Sequence, residues 1–331
     1  MIINHIFSKF KELIKIFGNS FKKYQLKRFI VLFGKGIQNY KTLRIRKKFA
    51  EDIKLIIENP PKFRNEYEIR LFGMRRSGNH AIVVWIANHF SKPIMFLNNI
   101  QQFSDPYLSN YDRRVLDNCI NFWERPIELN RYMKKSCLLF SYENFDLRLL
   151  KDKELIPNKE LRIGTSGRIY NILIIRDPFN LLASRIKSND LKYKKDTLND
   201  PEWILKYRSF LKLWKIHAKE FTGITNYLGF KIKINYNKWF KDKIYRKSIS
   251  KSLNLEFTDK GLNLVPKTGG GSSFNGRIYN GSAQNMKIET RWKNFSDNLT
   301  FKKLLDDPEI WNLSEKIFSN LNGITKELKL D

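Results

Sequence analysis

A chain of 331 residues with 42% hydrophobic and 14% aromatic content can bury a large core, which excludes a disordered tail or a small disulfide-stapled module. Its formal charge of +29 points to anionic partners: nucleotides, acidic glycans, a membrane surface or nucleic acid. The two cysteines (Cys119, Cys137) form no CxxC pair, the four histidines show no metal-ligand spacing, and no apolar run approaches the ~20 residues of a membrane span.

Residues 1–50 carry thirteen Lys or Arg against one acid, Glu12. Ile3, Ile6, Phe7, Phe10, Leu13, Ile14 and Phe17 fall at helical spacing with lysines between them. This pattern predicts a basic amphipathic helix, either packed on the main domain or lying on an anionic membrane. Asn59-Pro60-Pro61 closes the segment. Ile69, Leu71 and Phe72 then predict a short strand, Gly73 to His80 a loop, and Ala81 to Phe90 an apolar helix. Pro93 to Leu97 reads as a second buried strand, 100–135 as loops and short helices, and Cys137 to Tyr142 as a third strand. Tyr170 to Ile175 (YNILII) is the clearest strand, with a helix from about Phe179. Trp203 to Phe221 has a helical period, Lys231 to Tyr236 reads as a further strand, and a helix follows to about Leu253. Residues 267–285 form a Gly/Ser/Asn-rich loop, and the chain from Met286 reads as helical again. Short apolar strands alternating with helices predict a parallel sheet covered on both faces.

Two segments carry chemistry. In Gly73-Met74-Arg75-Arg76-Ser77-Gly78-Asn79-His80 a strand enters a glycine-flanked loop that opens a helix, which is the layout of a phosphate cradle. The Gly-x4-Gly spacing is that of the nucleoside-triphosphate loop. The Lys-Ser/Thr that would bind nucleotide and magnesium is replaced by Asn79-His80, and two arginines stand inside the loop. The second segment, YNILIIRDPFNLLASRIKS, places Arg176 at the carboxyl end of a strand, where ligands bind in such sheets. Ser184 follows eight residues later, two turns along a helix, and reaches the same anion if that helix folds back over the strand end.

Together the two segments resemble the sulfotransferases that use 3′-phosphoadenosine 5′-phosphosulfate (PAPS), with RDPFNLLASR nearer the carbohydrate and membrane-associated branch. The resemblance covers roughly residues 66–300. Arg75 to His80 stands where the family has P-K-S-G-T-T, which implies that Arg75, Arg76, Ser77, Gly78, Asn79 and His80 bind the 5′-phosphosulfate. Arg76 then takes the place of the catalytic lysine. Because arginine does not give up its proton near neutral pH, its role would be electrostatic. Arg176 and Ser184 match the pair that binds the 3′-phosphate. Tyr236, at the end of KIKINY, matches a tyrosine near the adenine. Arg291-Trp292-Lys293-Asn294-Phe295 matches a carboxyl-terminal segment behind a lid loop, from which Arg277, Arg291, Ser272 and Ser273 would reach the 3′-phosphate. The family's base is a histidine or glutamate. Glu143 is the first candidate and His80 the second, while His89 and His217 read as structural.

The expectations are therefore an α/β fold of P-loop type, a parallel β-sheet flanked by helices on both faces. A basic helical extension would span 1–60 and a sulfotransferase-like domain 66–331. The function implied by the resemblance is sulfuryl transfer from PAPS, without a metal, to a hydroxyl or amine on a carbohydrate. The setting would be cytoplasmic, with peripheral contact to an anionic membrane left open. The competing readings are a metal-dependent P-loop kinase and a non-catalytic polyanion or membrane-surface binding protein. No named nucleic-acid module is present.

Overall fold

The computed structural model describes residues 64–328 apart from 92, 110–133, 152–153, 157–158, 268–269 and 319–320, and these belong to a compact unit spanning Asn59–Asp331. The expected basic helix over 1–60, the boundary at Asn59-Pro60-Pro61, most of 100–135 and Cys119 lie outside the described residues.

The sheet has five parallel strands: β1 (Asn65–Gly73), β2 (Ile94–Leu97), β3 (Lys135–Glu143), β4 (Ser166–Ile175) and β5 (Ile232–Asn235). Their order is β2-β3-β1-β4-β5. The helices are α1 (Asn79–Ala87), α2 (Pro106–Ser109), α3 (Lys159–Ile163), α4 (Pro178–Tyr193), α5 (Pro201–Thr222), α6 (Tyr236–Lys241), α7 (Lys243–Ser252), α8 (Leu299–Leu305), α9 (Pro308–Ile317) and α10 (Asn322–Leu328). Among the described residues no helix is long and apolar enough to cross a membrane.

The strands read as continuous apolar runs because both faces are buried. Ile69, Leu71, Cys137, Leu139, Ile172, Ile174 and Ile234 share one face and pack with α1, α6 and α7 in one cluster. The alternate positions Phe72, Leu138, Phe140 and Leu173 build a second cluster on the other face. A third cluster joins Ile175 to α4, α5, α8 and α9, through Leu182, Trp214, Phe301 and Trp311 among others.

Three helices begin at an Asp-Pro pair. Asp177, Asp200 and Asp307 each accept a backbone N–H of the first turn, and the proline after each takes a place where an N–H has no helical partner.

Two boundaries differ from the sequence expectation. Helix α1 stops at Ala87 because Asn88 Nδ2 donates to the Val84 carbonyl (2.8 Å) and His89 Nδ1 meets the Trp85 carbonyl (2.9 Å). Tyr236 begins α6 instead of ending β5, because the Asn235 side chain caps the helix by accepting from Lys238 N at 3.1 Å. The stretch from Met286 is also not helical until a short 3-10 turn at Arg291–Phe295. Its carbonyls are taken by side chains from elsewhere: Ile288 by Arg176 (2.6 Å) and Glu289 by Asn180 (3.1 Å).

Candidate anion-binding cleft

The strand order fixes where a site belongs. The chain leaves β1 toward β2 on one side and leaves β4 toward β5 on the other, so the carboxyl ends of these adjacent strands diverge and leave a crevice. The register aligns the ends that surround it. Gly73 pairs with Glu143 of β3 and Ile174 of β4, and Ile175 pairs with Asn235 of β5. The loop 73–80, Glu143, Arg176 and Tyr236 therefore emerge together. A cleft of about 520 Å³ opens there, lined among the described residues by six Lys or Arg side chains and a single carboxylate, Glu143.

The loop after β1 is braced from within. Ser77 Oγ donates to the Met74 carbonyl (2.6 Å) and to Asn79 Oδ1 (2.9 Å), and Asn79 Nδ2 donates to the same carbonyl (3.2 Å). Both side chains are buried, so Ser77 and Asn79 shape the loop from below. Gly78 has φ +90°, and a Cβ there would stand 2.1 Å from Cε2 of Tyr236. Only glycine fits both the backbone and the ring. Gly78 is also the N-cap of α1, and it leaves that helix start without a side-chain cap. The dipole and the open N–H groups of such a start suit an anion.

Arg75 N donates to Asn144 Oδ1 (2.9 Å), and Arg75 Nε pairs with Glu143 Oε2 at 3.0 Å. Arg76 has φ +76°, in the left-handed region that non-glycine residues rarely adopt. Its guanidinium reaches across the cleft to the Gly271 carbonyl (3.2 Å) and to Ser188 Oγ. Burial lowers the pKa of Arg76, Glu143 opposes that shift, and Arg75 adds to it.

Arg176 and Ser184 do converge. Arg176, only 2% exposed, donates through Nη1 to the Arg76 carbonyl (3.0 Å) and to Ser184 Oγ (3.3 Å), and through Nη2 to the Ile288 carbonyl. Its guanidinium lies 5.4 Å from the Tyr236 ring centroid. Its Nε is buried with no partner. Arg291 joins the same serine, with Nη1 donating to Ser184 Oγ (3.0 Å) and Nη2 to Ser272 Oγ (3.1 Å). Among the described residues neither Arg176 nor Arg291 has an ion-pair partner, and both meet only neutral acceptors. Burial, then repulsion from Arg176, pushes Arg291 down to about 9.

His80 lines the cleft, with Nε2 3.1 Å from Asn98 Oδ1 and its ring edge-on to Phe96. Arg277 stands apart: it is exposed, is absent from the cleft lining, and donates through Nε to the Val265 carbonyl at 3.1 Å. His89 bonds Trp85 and Ser250, and His217 is fully buried against the Phe145 carbonyl at 2.8 Å. Burial lowers the pKa of both. Among the described residues no cluster of three or more His, Cys, Asp or Glu is placed to hold a metal ion.

Sequence reasoning missed Asn180, which stitches the site together. Its Oδ1 accepts from Arg291 N (2.7 Å) and Trp292 N (3.2 Å), and its Nδ2 donates to Asp177 Oδ1 (2.9 Å). It also missed Arg185, Ser188 and Lys192, although their i, i+3, i+7 spacing from Arg185 puts them on one face of α4. Comparison with family models, curated proteins and solved structures finds no match to this chain.

Proposed function

We propose that this protein is a PAPS-dependent sulfotransferase that sulfates a hydroxyl or amine of a carbohydrate. One observation carries the reading: two buried arginines with no ion-pair partner among the described residues, Arg176 and Arg291, converge on Ser184 beside a glycine loop at the diverging ends of β1 and β4. Burying an uncompensated charge costs several kcal/mol, so a fold that keeps two such charges side by side is arranged for an anion. The partnerless Nε of Arg176 is a donor still to be used. The residues present thus fit a nucleotide carrying two separate phosphate groups, one at Arg176, Ser184 and Arg291 and the other at the loop.

In this reading the loop is of P-loop type: Arg75, Arg76, Gly78 and His80 form the end that faces the phosphosulfate, and Ser77 and Asn79 brace that loop from below. Tyr236 packs beneath Gly78 and flanks the purine. When bound, PAPS supplies a sulfuryl group on a phosphate leaving group. The acceptor oxygen forms a bond to sulfur while the bond from sulfur to the phosphate oxygen breaks, and the electron pair stays on the phosphate. Arg76 stabilises that developing charge as a cation rather than as a proton donor. Glu143, held at the cleft wall by Arg75, takes the acceptor proton, and His80 is the alternative base. Arg277 has no role in this scheme beyond its contact with Val265. The same reading includes a reducing, cytoplasmic setting and a nucleotide co-substrate in place of nucleic acid.

Transfer of radiolabelled sulfuryl groups from PAPS to a panel of oligosaccharides tests it. Incorporation insensitive to a metal chelator is expected, with Glu143→Gln lowering kcat about 10²-fold or more and leaving affinity for adenosine 3′,5′-bisphosphate (PAP) in place. The same loss in His80→Gln in place of Glu143→Gln moves the base to His80. Absence of transfer to any acceptor, with ATP hydrolysed in magnesium, contradicts the reading and favours a kinase.

A further inference from the structure

The cleft lining extends beyond the residues assigned to the nucleotide. Helix α4 lines both parts. Ser184 serves the inner pocket, and Lys192 lies eight residues further on, about 12 Å along the axis at the ordinary helical rise. Between them Arg185, Ser188 and Asn189 share the face that lines the cleft. Arg185 makes no hydrogen bond or ion pair among the described residues; the Phe210 ring stands at 5.8 Å, and Arg75, Arg76 and Glu143 are near enough to act on its charge. Lys192 likewise has no carboxylate, and its Nζ stands 5.0 Å from the Tyr193 ring. Two nearby lysines behave differently: Lys195 pairs with Asp200 (2.5 Å) and Lys206 with Glu202 (2.6 Å).

Beside these two unpaired cations stands an aromatic wall. The rings of Tyr193 and Trp203 lie 4.9 Å apart and both line the cleft. Lys206 sits 4.4 Å over Trp203, which holds the half-buried indole in place beside charge. Rings of this kind bind the C–H faces of flat hydroxylated molecules, and polar groups at their edge set orientation. The only carboxylate among the described residues that line the cleft, Glu143, is tied to Arg75. The two carboxylates next to Trp203, Asp200 and Glu202, are paired with Lys195 and Lys206.

We propose that the outer cleft, where Arg185 and Lys192 stand beside the Tyr193–Trp203 ring pair, is the acceptor subsite and takes an acidic saccharide. Such an acceptor is a hydroxyl-bearing ring that carries its own carboxylate or sulfate. Arg185 and Lys192 hold the acidic group, Trp203 and Tyr193 hold the ring, and a hydroxyl is presented toward Arg76 and Glu143. This rests on the sulfotransferase reading for its chemistry but not for its binding.

Calorimetric titration of the full chain separates the two. The probes are an unsulfated chondroitin tetrasaccharide (acidic), chitotetraose (neutral, same length) and 4-hydroxybenzoate (acidic, aromatic), with PAP titrated in parallel. The acidic tetrasaccharide is expected to bind at least tenfold more tightly than chitotetraose. Lys192→Ala and Trp203→Ala are each expected to weaken it about tenfold, and Arg185→Ala more, while Lys192→Ala and Trp203→Ala still bind PAP. Retained PAP binding also shows that these variants fold. Equal binding of the neutral tetrasaccharide, no saccharide binding at all, or preference for 4-hydroxybenzoate overturns the proposal. If the acidic tetrasaccharide binds through Lys192 and Trp203 but PAP does not bind, the saccharide subsite stands and the sulfotransferase reading falls.

Discussion

Arg176 and Arg291 share one serine oxygen with no ion-pair partner among the described residues, and their repulsion, only partly offset by Asp177, is a cost the fold carries for its site. Removing one charge should therefore help the fold and harm binding. Arg291→Met is expected to raise the ligand-free Tm by about 2 °C or more, the equivalent of roughly 1 kcal/mol for a domain this size, while PAP affinity falls at least tenfold. A Tm lowered along with affinity would mean that Arg291 is mainly structural. The pH dependence has two opposite signs. Below about 9 Arg291 is charged in both the folded and unfolded chain, and the burial penalty is fully present. As pH rises through that value the folded state sheds the proton while the unfolded chain retains it, so this penalty on stability is relieved. An anion favours the charged form, so PAP affinity is expected to be flat at lower pH and to fall as pH passes about 9. Calorimetry from neutral pH to above 9 checks this, and a flat profile throughout would remove Arg291 from the site.

At the level of elements, the site depends on a clasp between the loop after β1, the start of α4 and the segment 286–295. Gly78 is the tightest point of the first. Gly78→Ala adds both a left-handed backbone penalty and a clash with Tyr236, whereas Gly223→Ala, at φ +89° with open space around it, adds the backbone penalty alone. Urea unfolding is expected to show a loss of about 1 kcal/mol for Gly223→Ala and about 2–4 kcal/mol for Gly78→Ala. Equal losses would mean that the Tyr236 packing is loose. Asn180→Ala strips partners from Arg291 N, Trp292 N and the Glu289 carbonyl. A loss of about 3 kcal/mol, with weaker PAP binding, is expected from the same method.

These elements also show what a linear reading can reach. The strands were legible because burial on both faces writes itself as apolar runs, and Arg176 and Ser184 because a strand end and two helical turns have fixed lengths. Asn180 and the Ile288 carbonyl were not. Their roles depend on residues more than 100 positions away, and a backbone carbonyl leaves no trace in a sequence. Ser77 and Asn79 were identifiable as loop residues, but their inward turn depends on the position of the Met74 carbonyl.

For the molecule as a whole, the positive charge is not spread evenly, since residues 1–50 hold thirteen Lys or Arg against Glu12. The described residues that line the cleft, by contrast, all belong to the unit that begins at Asn59. A chain starting at Asn59 is therefore expected to bind PAP within about threefold of the full chain, and loss of binding in that fragment would give the basic segment a part in the site. Long-range attraction from a charge of +29 speeds the arrival of any polyanion and is screened by salt. The buried arginine pair is screened far less, so the specific site is the component that survives high salt.

The central claim is that the cleft between β1 and β4 holds a bisphosphorylated nucleotide without a metal. Its most direct test is a calorimetric titration of the full chain at high salt with PAP and with ATP, each with and without magnesium, repeated for Arg176→Ala. Binding of PAP that ignores magnesium, exceeds that of ATP and disappears in Arg176→Ala is the expected result. Binding of ATP with magnesium in preference to PAP, or PAP binding untouched by Arg176→Ala, would contradict it.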